Sequence, residues 1–181
     1  MSFSAINSLN VFLGIGAITL QILSVFTLLM FFFGPKKNTF LDYIEKYFLI
    51  LGFLISFFST VFSLVYSEVI GFLACALCWY QRVFLFPQVF LFGTAFWKRS
   101  KQVIYFSLPL LLVGFSISIY QTIVYYFGNL ENIPCDASGV SCYQRLVSVF
   151  GGYISIPTLS LTSFFVMLVL ILVVHFYGKR K

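Results

Sequence analysis

The sequence predicts an all-α integral membrane protein, and three observations carry that prediction. The 181 residues are 61% hydrophobic and only 9% charged, with 25 phenylalanines. A soluble domain of this size has too much surface for its volume to hide so much apolar area. Apolar runs at 9–33, 48–66, 79–97, 102–127 and 158–177 are long enough to span, since a helix needs about 20 residues to cross roughly 30 Å of hydrocarbon. The basic residues cluster in the polar breaks between those runs. The formal charge of +6 is therefore better explained by topology control than by nucleic-acid binding.

In chain order, the first run is too long for a signal peptide and has no Lys or Arg before Lys36, so it reads as a retained helix. Gly34-Pro35-Lys36-Lys37-Asn38 ends it, and 39–47 reads as a short interfacial helix before the second run. Residues 67–77 form a brief connection into the third run, and Arg99-Ser100-Lys101 is the core of a tight turn into the fourth. Pro87 and Pro109 lie within spans, where membrane helices tolerate a kink. Residues 128–157 form a long loop, stiffened by Pro134 and turned at Ser138-Gly139. Leu146, Val149, Phe150 and Tyr153 share one helical face, which suits a short helix on the membrane surface, interrupted by Gly151-Gly152. Pro157 fits the first turn of the last helix, and His175 reads as an interfacial polar residue near its far end.

Orientation follows from charge. Lys36, Lys37, Lys46, Lys98, Arg99, Lys101, Lys179, Arg180 and Lys181 share one side if there are five spans. That places nine of the eleven basic residues on the cytoplasmic face. The N-terminus and all four cysteines then lie outside, where disulfides form and persist. Arg82 and Arg145 break the charge rule. Arg145 reads as an interfacial snorkelling residue. Arg82 falls near the start of a spanning helix, where a charge is expensive and usually functional.

The four cysteines form two pairs, Cys75/Cys78 and Cys135/Cys142. Cys75 and Cys78 are three apart and face the same way in a helix, so they can close a small disulfide. The dipole at the start of the third helix and the positive charge of Arg82 one turn on both favour a thiolate at Cys78. A low-pKa thiol at the hydrocarbon edge can meet a lipid-soluble electron acceptor such as a quinone, with Arg82 donating hydrogen bonds to its oxygen. Cys135 and Cys142 close a small loop in an exposed segment, where a partner thiol can reach their disulfide. A non-enzymatic scaffold is the alternative, with two structural disulfides or a zinc site built from all four cysteines. The wide spacing of the second pair and the oxidising compartment count against zinc. The arginine beside Cys78 counts against inert disulfides.

These residues resemble the DsbB family of disulfide bond formation proteins, and most of all its short BdbC-type branch. The resemblance rests on Tyr66-Ser67-Glu68, on Cys75-Ala-Leu-Cys78-Trp-Tyr-Gln-Arg82 with Pro87 beyond, on Cys135 through Cys142, and on Ile154-Ser155-Ile156-Pro157. It covers about residues 47–178. It implies a DsbB-like four-helix bundle at 47–181, preceded by an extra N-terminal transmembrane helix and cytoplasmic loop at 1–46. It also implies a multi-pass protein of the cytoplasmic membrane that oxidises a DsbA-like thioredoxin-fold partner and reduces a membrane quinone, ubiquinone or menaquinone. By position, Cys135 forms the mixed disulfide with the partner and Cys142 is released to attack Cys75. Cys78 becomes the thiolate facing the quinone, with Arg82 beside it. Where some members carry a histidine near the quinone, this chain has Tyr120-Gln121, so the histidine's role is either lost or taken by Gln121.

Overall fold

The computed structural model describes residues 3–35, 38–72, 74–127, 147 and 150–180. Among the described residues, five helices run in alternating directions: α1 (Phe3–Phe33), α2 (Thr39–Leu64), α3 (Ala76–Lys98), α4 (Val103–Phe127) and α5 (Ile156–Arg180). A π-helical turn, Val65–Val69, extends α2. The protein is an all-α membrane bundle. α1, α2 with its π turn, α4 and α5 are each long and apolar enough to cross a bilayer. The third predicted span falls within α3, which is 23 residues long but less apolar. The reason lies on its inner face, where Gln81, Arg82 and Gln88 are buried, while Val83, Phe90 and Phe96 remain exposed. A helix inside a bundle needs an apolar surface only where it meets lipid.

The outer surface confirms the solvent. Phe32, Phe90 and Phe106 are 68%, 74% and 65% exposed, which water would penalise and lipid does not. α5 is the central helix: it packs against α1, α2 and α4, and Phe164, Met167, Ile171, Val173 and Val174 are all buried. Two glycines set the closest approaches. A Cβ on Gly52 of α2 would lie 2.4 Å from the Phe92 ring of α3, and one on Gly114 of α4 would lie 2.3 Å from the Phe164 ring of α5. Small residues at such crossings let helices meet closely where lipid supplies no hydrophobic drive.

The segment 39–47 is not a separate interfacial helix. Asn38 caps α2, with its side chain accepting from the Phe40 amide at 3.0 Å, and the helix runs unbroken from Thr39. Leu41, Ile44 and Phe48 continue one buried stripe through this segment, so it belongs to the bundle. Tyr177 of α5 clasps the same end. Its hydroxyl accepts from the Asn38 amide and donates to the Asp42 carboxylate, each at 3.1 Å. Lys101, in the α3–α4 turn, pairs with Glu45 at 2.7 Å. Arg99 ends α3 in the left-handed region at φ 50°, which makes the expected tight turn.

At the opposite end α5 starts with reciprocal capping. The Ser155 amide donates to Thr158 Oγ1 at 2.9 Å, and the Thr158 amide donates to Ser155 Oγ at 3.4 Å. Pro157 sits in that first turn, as its fixed φ and missing N–H favour. The surface helix expected around 146–153 lies largely outside the described residues; Phe150 to Tyr153 form a turn.

Candidate functional site

The site lies at the end of the bundle where α2 closes and α3 begins. The π turn widens α2 there, with the Ile70 amide donating to the Val65 carbonyl at 3.0 Å. Such single π turns recur at functional sites because they re-aim side chains. Tyr66 is thereby buried, and its hydroxyl donates to Asn10 Oδ1 of α1. Gly71, at φ 83°, reverses the chain toward Cys75.

Cys75 is the N-cap of α3, with extended backbone at φ −70° and ψ 167°, and its carbonyl accepts from the Trp79 amide at 3.1 Å. Cys78 follows three residues later in the first turn. N-cap and N3 side chains point to the same side of a helix start, which is why this spacing brings two thiols together. The two sulfurs are 3.2 Å apart and unbonded; Cys75 is buried and Cys78 partly so.

Gln121 of α4 completes the pair's surroundings. Its Nε2 lies 3.3 Å from Cys78 Sγ and 3.6 Å from Cys75 Sγ, and its Oε1 accepts from Gln81 Nε2 at 2.6 Å. Both glutamines are almost completely buried. The Gln81–Gln121 bond therefore fixes the amide's orientation, with its donor end toward the sulfurs.

Arg82 is also buried, at 7% exposure. Its guanidinium is held from α2. Nε donates to Ser63 Oγ at 2.9 Å and Nη2 to the Ser63 carbonyl at 3.0 Å, while the Trp79 ring lies 5.2 Å from the guanidinium carbon. The α2–α3 crossing supplies these partners, and helix spacing alone gives no sign of them. Among the described residues no carboxylate pairs with Arg82. A guanidinium has five donors and Ser63 engages two of them, so a buried cation keeps donor capacity for an anionic or carbonyl group.

Cys75, Cys78, Gln81, Arg82 and Gln121 open onto one cavity of about 250 Å³. Its remaining walls are mainly apolar and come from α1, α2, α3 and α5, including Phe12, Phe58, Phe62, Leu85 and Ile156. An engineered apolar cavity of about 150 Å³ takes up benzene, so this one has room for a substituted ring. The donors of Arg82 at its wall fit a ring oxygen. The residues therefore fit the quinone that the sequence resemblance implies.

Of the residues singled out from the sequence, Cys75, Cys78, Arg82 and Gln121 come together here. Cys135, Cys142 and Arg145 lie outside the described residues. His175 is remote, stacked edge-on against Tyr105 toward the other end of α5. Sequence reasoning assigned no role to Ser63, Gln81 or the α1 residues at the cavity. The amide side chains of Asn10 and Gln21 within the largely apolar first run were the available signal.

The family model described as "Disulfide bond formation protein DsbB" matches residues 45–174. The chain belongs to the DsbB family. It is 33% identical over 131 residues to the probable disulfide formation protein C 2 of Bacillus cereus, covering 72% of this chain and 93% of that protein. It is 34% identical over 122 residues to the SPbeta prophage-derived disulfide bond formation protein B of Bacillus subtilis, covering 67% and 80%. It is 36% identical over 128 residues to a probable disulfide formation protein of Chlamydia trachomatis, covering 68% and 89%. No solved structure matches the chain. The DsbB match begins within α2, so α1 lies outside it.

Proposed function

We propose that this DsbB-family protein is a membrane thiol:quinone oxidoreductase that keeps a DsbA-like thioredoxin-fold oxidase in its disulfide form. The observation that carries the reading is the shared cavity: a Cys-x-x-Cys pair and a buried arginine open together onto an apolar space inside a membrane bundle. A structural disulfide has no need of such a space. The family membership and the disulfide-formation names of its relatives support the same reading.

In this scheme the partner's dithiol attacks the Cys135–Cys142 disulfide. Cys135 forms the mixed disulfide, and Cys142 leaves as a thiolate. Resolution releases the oxidised partner and leaves both loop cysteines as thiols. Cys142 then attacks Cys75, displacing Cys78, and Cys135 resolves the interloop bond. The loop disulfide re-forms while Cys75 and Cys78 become the dithiol. A quinone bound in the cavity would supply the two-electron, two-proton acceptor that lets the Cys75–Cys78 disulfide re-form. Cys78 would meet it as a thiolate, supported by the Gln121 N–H. Arg82 would donate to its oxygen, where negative charge develops. The cavity's apolar walls exclude water from the exchange.

The nine-to-two split of basic residues supports an external N-terminus, external cysteine pairs and a cytoplasmic C-terminus in the cytoplasmic membrane. The test is direct. Purified protein in detergent, given a reduced thioredoxin-fold oxidase and a soluble quinone, should consume the quinone absorbance in step with partner oxidation. A protein that leaves both unchanged is not this enzyme, and the scaffold alternative, with fixed disulfides or bound zinc, then stands.

A further inference from the structure

α1 has no counterpart in the matched family region, yet it supplies one wall of the redox cavity through Phe12, Leu13, Gly16 and Ala17. Polar contacts fix its rotation. Asn10 accepts from Tyr66, Gln21 Nε2 donates to Thr162 Oγ1 at 2.7 Å, and the Tyr153 hydroxyl donates to Gln21 Oε1 at 3.0 Å. In lipid, apolar faces are interchangeable, so such bonds decide which face turns inward.

The wall is not closed. α1 packs along α5 and meets α2 only sparingly. Phe12 of α1 and Phe58 of α2 both line the cavity, and both remain substantially exposed, at 69% and 49%. The cavity therefore reaches the bundle's outer surface between these two helices. Gly16 lies at this gap, where a Cβ would meet no atom within 4 Å.

We propose that α1 is the outer wall of the acceptor site and that the gap between α1 and α2 at Gly16 seats the apolar tail of the quinone. This rests on the acceptor reading above. A cavity of about 250 Å³ holds a substituted ring and little more. A prenyl tail must therefore leave sideways into lipid, and the gap beside Gly16 is continuous with the space that Cys78 and Arg82 line. The occupant is a quinone tail rather than a phospholipid chain because the redox pair and the buried cation lie at the inner end of the same opening.

Binding is measured without turnover, in protein with its cysteines oxidised, by quinone quenching of Trp79. The chain has two tryptophans, and a Trp97→Phe background leaves Trp79 as the sole reporter. A decyl-substituted benzoquinone and its tailless parent are compared. Gly16→Leu should weaken the decyl compound roughly tenfold, the equivalent of about two methylenes denied burial, and change the tailless one less than about twofold. Gly16→Ala should have a smaller effect of the same kind. Ile22→Leu, on the exposed face of α1, should have none. Retained tailless binding in Gly16→Leu also shows that the variant is folded. Unchanged affinity for both compounds in Gly16→Leu overturns the inference and leaves the acceptor reading intact. So does equal weakening of both, because the substitution then acts on the headgroup site or the fold. Loss of copurifying phospholipid from Gly16→Leu with quinone affinity unchanged also overturns it, since the gap then holds lipid. Absence of quenching by either compound in the unsubstituted protein removes the acceptor reading and this inference together.

Discussion

Gln121 offers the sharpest test of the site because one side chain does two separable things. Its Oε1 satisfies buried Gln81, and its Nε2 donates to the Cys78 sulfur. Gln121→Leu removes both. Gln81 is 5% exposed, so its amide is left without an acceptor, which costs about 1–3 kcal/mol of stability. The lost N–H···S contact acts on the redox step instead. A hydrogen bond to a charged sulfur contributes about 1.5–3 kcal/mol, so dithiol-to-quinone turnover should fall roughly 10- to 100-fold. Combining it with Gln81→Leu separates the two effects. Replacing both partners of a buried hydrogen bond by apolar groups of similar shape is nearly neutral. The double variant should therefore recover most of the lost stability and none of the lost turnover. Unfolding in detergent reports the first quantity; quinone absorbance with a small dithiol as donor reports the second. A double variant that regains full turnover would show that Gln121 acts only by holding the fold. A single variant as stable as the parent would show that the Gln81–Gln121 bond is not the anchor described here.

The other predictions address charge, order and topology. Arg82→Ala should slow quinone reduction roughly 10- to 100-fold while leaving partner exchange at the loop disulfide nearly intact. Arg82→Lys should recover only part, because an ammonium cannot keep both bonds to Ser63 and still offer a fork; stopped-flow measurement of the two half-reactions separates these effects, and unchanged quinone kinetics in Arg82→Ala removes the arginine from the site. Cys142→Ser should lose oxidation of the protein partner yet still pass electrons from a small dithiol to quinone, whereas Cys78→Ser should lose both and accumulate a Cys75–Cys142 or partner-linked disulfide on non-reducing gels. Equal loss of dithiol-to-quinone activity in the two variants rules out a two-stage relay. After reduction of intact cells, an impermeant thiol reagent should label Cys142; labelling only after lysis reverses the proposed orientation.

Much of this protein is legible in its sequence. Hydropathy alone separates helices from loops, because an apolar run of spanning length has no stable home in water. The Cys-x-x-Cys at a helix start, followed by Trp-Tyr-Gln-Arg, already points to thiol chemistry at a membrane edge. The family resemblance leaves Gln121 as one candidate for a histidine's place, and the structure sets it 3.3 Å from Cys78. Where local patterning misleads, the cause is a neighbour distant in sequence. The segment 39–47 looks like an interfacial helix because it is more polar than the run that follows, but Tyr177 and the stripe of Leu41, Ile44 and Phe48 bind it into α2 and the bundle. Sequence spacing sets Arg82 one turn from Cys78 but gives no sign of Ser63, on the facing helix, which holds two of its guanidinium donors. The first run looks like an accessory span, yet tertiary packing sets it against the redox cavity. The physical reason is that these contacts are made between helices. Apart from a few buried polar side chains, such as those on the inner face of α3, both sides of a membrane helix are apolar, so hydropathy says that a helix spans but seldom which face turns inward. That choice is made by close packing at residues such as Gly52 and Gly114 and by a few interhelical hydrogen bonds, and it exists only once the helices have met.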